Sequence, residues 1–155
     1  MKALTAYFSA TGVTKKLAER IANLADSDIF EIEPEIPYTK EDLNWTNSES
    51  RSSVEMNDFN SRPEIANTCP NMDEYDKIFL GFPIWWYVAP TIIRTFLEAY
   101  DFSGKTVIPF CTSGTSQPGG TDAYLKEVCP DANFKPTVRF KTNVKDEALK
   151  DWIEG

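Results

Sequence analysis

Three segments of the chain hold side chains suited to gripping an anionic tail and a flat ring. In the first, Ser9-Ala10-Thr11-Gly12-Val13-Thr14, hydroxyls at positions 9, 11 and 14 surround a glycine where a helical pattern begins. A helix start leaves backbone N–H groups unpaired and carries a partial positive charge, so it suits a phosphate. Gly12 lets the backbone approach closely, and the hydroxyls add donors. The same residues also serve as an ordinary N-cap, where Ser and Thr are favoured in any case. The segment is not a P-loop, because G-x-x-x-x-G-K-[ST] is absent. Lys15 and Lys16, which follow, are expected to face solvent.

The second segment, Pro83-Ile84-Trp85-Trp86-Tyr87-Val88-Ala89, sets three aromatics side by side. They cannot all face one interior from a single loop, so at least one lies on the surface or over a ligand. Aromatic faces suit stacking on a planar, partly apolar ring. Core packing or a protein interface would use them too. The third segment, Thr112-Ser113-Gly114-Thr115-Ser116-Gln117-Pro118-Gly119-Gly120-Thr121, combines hydroxyls with adaptable backbone. It can pass close to a flat ring and hydrogen-bond its polar edge, or act as a plain turn before a helix. Each segment alone is weak. Their conjunction carries the reading.

The elements that must position them follow from hydrophobic periodicity. Residues 2–8 read as a strand, and a helix starts near Val13 with Leu17, Ile21, Leu24 and Ala25 on its apolar face. Residues 28–33 alternate as a second strand. Residues 77–82 form the continuous apolar run of a strand covered on both faces. Pro90 is placed as the first residue of the next helix, whose buried stripe is Ile92, Ile93, Phe96, Leu97 and Tyr100. Residues 105–111 read as a fourth strand, against which Pro109 is a conflict, since proline removes a ladder donor. A helix at 121–129, a weaker strand at about 134–140 and a helix from Val144 complete the chain.

Strands that alternate with helices imply an α/β fold, a doubly wound parallel sheet with helices on both faces, in one domain over residues 1–155. All three segments then leave the carboxyl edge of that sheet. Residues 34–75 break the rhythm. They are polar, rich in proline and hold no convincing strand, though a helix after Thr39 would be capped through Asp42. A loop of that length is unusual and often functional.

Composition excludes several classes. The chain has 155 residues, and 24 acidic against 16 basic residues give a net charge of −8. That balance disfavours nucleic acid and anionic membranes and suits basic partners. Any phosphate must therefore be held locally, by backbone and hydroxyl donors. There is no histidine, and the three cysteines, Cys69, Cys111 and Cys129, have no C-x-x-C spacing. Zinc, imidazole triads and a disulfide framework are not expected, and reduced thiols fit the cytoplasm. The first residues hold too short an apolar run for a signal peptide, and no stretch approaches a membrane span.

At the three segments the chain resembles the flavodoxin family, in particular its short members. The likeness lies in residues 7–14 (Tyr7-Phe8-Ser9-Ala10-Thr11-Gly12-Val13-Thr14), Gly81-Phe82-Pro83-Ile84-Trp85-Trp86, residues 96–105, and Pro109-Phe110-Cys111-Thr112-Ser113-Gly114. The resemblance implies five strands in the order 2-1-3-4-5 and a non-covalently bound flavin mononucleotide (FMN). In open parallel sheets, ligands sit where strand order reverses, and flavodoxin is itself a standard example of that rule. By resemblance, Ser9, Thr11, Gly12, Val13 and Thr14 would hold the FMN phosphate. Pro83, Ile84, Trp85 and Trp86, with Tyr87 beside them, would flank the ring, and Thr112, Ser113, Gly114 and Gly120 would line its other side. Pro37-Tyr38 and Arg62-Pro63 match the short members without an assignable role.

Two positions depart from the family. Thr115-Ser116-Gln117-Pro118 replaces a glycine-rich run. Tyr87 stands where a small residue is common, and no glycine lies between Pro83 and Ala89. Flavodoxins typically stabilise the one-electron-reduced flavin by turning a peptide beside a glycine, and positive φ costs another residue about 1–2 kcal/mol. Weaker one-electron stabilisation is the expectation. The function implied is electron transfer between a reductase and an acceptor protein, with no catalytic side chain. The alternative is an NAD(P)H-dependent quinone or flavin reductase of the same fold. A phospho-receiver domain would need acidic residues where Phe8-Ser9 stand, and a flavin-binding regulatory module would show no turnover.

Overall fold

The computed structural model describes residues 2–113 and 116–155. In chain order the elements are β1 (Lys2–Tyr7), α1 (Val13–Ala25), β2 (Asp28–Glu31), α2 (Arg51–Met56), β3 (Tyr75–Pro83), α3 (Thr91–Ala99), β4 (Thr106–Thr112), α4 (Thr121–Val128), β5 (Asn133–Phe134), β6 (Val138–Arg139) and α5 (Asp146–Glu154). The sheet is parallel and runs β2-β1-β3-β4-β5, with β6 also paired to β4. The expected order is therefore present, with the fifth strand in two pieces.

Alternation along the strands sends successive side chains to opposite faces. Leu4, Ala6, Ile78, Leu80 and Phe82 meet Ile92, Ile93, Phe96 and Leu97 of α3 and Tyr124 and Leu125 of α4. Tyr7, Phe79, Ile108 and Phe110 meet Leu17, Ala18 and Ile21 of α1 and Leu149 of α5. Both faces are covered, as the unbroken apolar run of β3 requires. Each fully buried Leu, Ile or Phe contributes about 1.5–3 kcal/mol by leaving water.

The conflict at Pro109 resolves through the break in the fifth strand. The carbonyls of Lys105, Val107 and Cys111 accept from Asn133, Lys135 and Phe140 on that side of β4. Pro109 belongs to the same alternating set, and its missing N–H faces the gap between β5 and β6. Pro90 is the N-cap of α3, one position before the helix it was expected to begin.

The excursion between β2 and β3 differs from expectation. Thr39 and Asp42 do form a reciprocal box, with each backbone N–H donating to the other's side chain (2.9 and 3.1 Å). The helix does not propagate. The Asn44 and Asn47 side chains accept from Thr46 and Glu49 N–H at 3.2 and 3.0 Å, closing local turns that compete with it. The short helix α2 starts instead at Ser50, which caps it. One ion pair and one hydroxyl hydrogen bond pin the excursion to α3. Arg62 Nε donates to Glu98 at 2.6 Å, holding that carboxyl below its ordinary range, and Ser61 and Thr91 share a 3.0 Å hydrogen bond.

Candidate functional site

The first segment turns through Gly12, whose φ of +93° is open to glycine and strained for other residues. Gly12 N–H donates to Ser9 Oγ at 3.0 Å, closing the turn that aims the start of α1. A Cβ at Gly12 would meet nothing within 4 Å, so the space beside the helix tip is open. Thr11 and Val13 are exposed there. Thr14 is buried, and its hydroxyl is engaged with Thr112 Oγ1 at 2.8 Å. That bond joins the first segment to the third.

The second segment is tied to the third, and β3 just ahead of it to the end of β1. Phe8 N–H donates to Gly81 O at 3.0 Å, and Ile84 N–H donates to Thr112 O at 3.1 Å. Thr11, Val13, Pro83, Ile84, Thr112 and Ser113 thus line one groove of about 690 Å³. They sit at the carboxyl ends of β1, β3 and β4, where strand order reverses. Ser116, Arg139, Lys141, Thr142 and Asn143 complete the groove. Ser116 belongs to the third segment, whereas Arg139, Lys141, Thr142 and Asn143 escaped sequence reading, since a lone arginine in a weak strand carries no pattern. Ser9, Gly12, Thr14, Trp85, Trp86, Tyr87 and Gly120 are not among the lining residues. Gly114, also expected here, lies outside the described residues.

The three aromatics divide sharply. Trp85 is half-buried and meets Phe8 and Tyr38 edge-to-face, with centroids 5.8 and 5.4 Å away. Trp86 and Tyr87 are 41% and 68% exposed. Trp85 and Val88 exchange backbone hydrogen bonds of 2.9 and 3.2 Å around them. This is a two-residue hairpin whose central residues have φ of 50° and 68°, the signature of a type I′ turn. Both central residues thus adopt the positive φ that is costly without glycine. The hairpin bonds impose it, and Gly120 N–H secures Tyr87 O at 3.2 Å. Gly119 must be glycine at that contact, since a Cβ would lie 2.4 Å from Tyr87 O.

Left-handed backbone at Tyr87 carries strain that its exposed side chain does little to offset. Tyr87→Gly should raise stability by roughly 0.5–1 kcal/mol, the released strain exceeding the added freedom of the unfolded chain. Urea unfolding measures this as a higher midpoint at unchanged slope. A lower midpoint would show that the phenol ring packs more than its exposure implies.

Tyr38 explains the Pro37-Tyr38 segment. Its ring contacts Phe8 at 5.6 Å as well as Trp85, and the Arg51 guanidinium lies 3.8 Å over its face. Its hydroxyl donates to Glu55, and burial together with that carboxylate raises the phenol above its ordinary range. The excursion thereby backs the second segment. The three cysteines are free and buried, and burial pushes the Cys111 thiol up to about 12 although Arg139 draws it down. Among the described residues, no group of three or more His, Cys, Asp or Glu is placed to hold a metal, and no helix is long and apolar enough to cross a membrane.

An open parallel sheet with a glycine-led helix tip, the Pro83-Ile84 end of β3 and a hydroxyl-bearing loop meeting at its switch point defines an α/β protein of the flavodoxin-like fold. The sequence pattern of the flavodoxin family matches residues 2–155, and the chain belongs to that family. No curated protein matches the chain. Two solved structures provisionally described as flavoproteins are each 45% identical to it. That from Bacteroides uniformis ATCC 8492 covers 99% of this chain and 98% of its own with a TM-score of 0.94. That from Bacteroides eggerthii DSM 20697 covers 99% and 96% with a TM-score of 0.92. A flavoprotein from Lactobacillus acidophilus NCFM, solved in complex with FMN, is 24% identical over 97% of both chains with a TM-score of 0.72, a likeness of fold.

Proposed function

We propose that this protein binds FMN non-covalently and carries electrons between a reductase and an acceptor protein in the cytoplasm. The observation that carries the reading is the convergence of three separate segments on one groove beside the tip of α1. The donor set fits the cofactor. Backbone N–H groups at the helix start and the Thr11 hydroxyl suit a phosphate. Val13, Pro83 and Ile84 offer apolar surface, and Ser113 and Ser116 offer polar groups toward a ring edge. Trp86 and Tyr87, held out on their hairpin, are available to cover a ring face. The flavin, when bound, takes up and releases electrons, while these residues bind it, orient it and limit its contact with water.

The FMN-containing Lactobacillus flavoprotein and the family membership support the cofactor. An acidic surface supports weak, charge-guided meetings with basic partners. The test is titration of the purified chain with FMN, followed by flavin fluorescence and the visible spectrum. Uptake at micromolar concentration or below is expected, and no uptake refutes the reading. Stopped-flow mixing of the loaded protein with NADPH then separates the roles. Slow bleaching is expected of a carrier, whereas rapid direct bleaching identifies an NAD(P)H-dependent quinone or flavin reductase.

A further inference from the structure

Arg139 stands on β6, beyond the break in the fifth strand, and reaches across to the third segment. Its Nε donates to Ser113 Oγ at 2.8 Å and its Nη2 to Ser113 O at 3.3 Å. Ser113 Oγ donates in turn to Ser116 O. All three residues line the groove that also holds Thr11, Val13 and Ile84. The guanidinium is half-buried, so solvent screens it less than a surface charge. Its field already reaches inside the protein, where it counters the effect of burial on Cys111. In a chain of net charge −8, the described lining of this groove holds two cations, Arg139 and Lys141, and no carboxylate.

We infer that Arg139 is a tuning residue for the bound flavin, favouring its fully reduced form over the oxidised one. The inference rests on the FMN reading above. Full reduction adds two electrons and one proton to the ring, which gains one negative charge. A fixed cation in the groove stabilises that charge and leaves the neutral oxidised ring nearly unaffected. Lys141 lines the same groove but is exposed, so its contribution is screened. The bonds to Ser113 fix where the guanidinium stands.

The test compares the affinity of the wild type and its variants for oxidised FMN and for dithionite-reduced FMN, titrated without oxygen. In Arg139→Gln, the ratio of reduced to oxidised dissociation constants should rise about tenfold over wild type. Arg139→Lys retains the charge and should stay within about threefold of wild type. An unchanged ratio in Arg139→Gln overturns the inference. Equal weakening of both forms also overturns it, because that is the signature of a clamp on Ser113 alone. Arg139→Met, neutral and of similar reach, repeats the measurement should the glutamine impair folding, with far-ultraviolet circular dichroism reporting the fold. A wild-type chain that takes up neither form of FMN refutes the functional reading itself, and this outcome appears before any variant is compared.

Discussion

Gly81→Ala should destabilise the protein by about 3 kcal/mol, at the upper end for one added methyl group in a packed core. Gly81 lies in β3 at the centre of the sheet, directly opposite Phe110 of β4. The Phe110 ring lies across it, and a Cβ would stand 2.3 and 2.5 Å from Cζ and Cε2. A flexible side chain would move aside. This ring cannot do so freely, because it is fully buried and held edge-on by Trp152 at 5.8 Å. Glycine weakens a strand interior, so its presence here reflects the close approach of that ring. The strain would also travel, since Gly81 O accepts the Phe8 N–H that steers β1 into the first segment. Denaturant unfolding of Gly81→Ala, Phe110→Leu and the double variant checks the cause. The double should be more stable than the sum of the singles predicts, by about 1–2 kcal/mol. Additive losses would mean that something other than the ring opposes the methyl group.

The strands of the sheet were legible because most of them kept one periodicity, whereas their order came from the resemblance to the flavodoxin family. The run from Ile78 to Phe82 could only be a strand covered on both faces, and Leu17 and Ile21 could only share a helix face. The three segments were legible as neighbours for the same reason, since alternating strands and helices bring every strand-to-helix loop to one edge. What stayed hidden depended on partners distant in sequence. Pro109 reads as an error until the gap between β5 and β6 is known. Arg139 has no sequence signal, because its meaning comes from Ser113 across the sheet edge. The positive φ values at Trp86 and Tyr87 were hidden too. Local preference argues against them, and the paired bonds of Trp85 with Val88 outweigh that preference. The excursion failed similarly, as Asn44 and Asn47 divert a helix that the Thr39–Asp42 box begins.

Trp85→Ala should cost about 3 kcal/mol, at the lower end for loss of a large aromatic because the indole is only half-buried. Trp85 touches Phe8 at the exit of β1 and Tyr38 in the excursion, so three parts of the chain share one cluster. Removing the indole leaves Tyr38 with Phe8 and the Arg51 face, and leaves the hairpin without its inner anchor. Trp86→Ala deletes an indole from the exposed side of the same hairpin, and its cost should stay within about 1 kcal/mol. The two variants should exchange rank when FMN affinity is measured. Trp86 is free to cover a ring face, whereas the Trp85 ring is already occupied. Urea unfolding of both apoproteins and FMN titration of both at low urea test this exchange. Equal losses of stability would mean that the aromatic pair is not divided between core and ligand. In that event the hairpin, with both central residues in the left-handed region, would be a structural turn and not a platform for the ring.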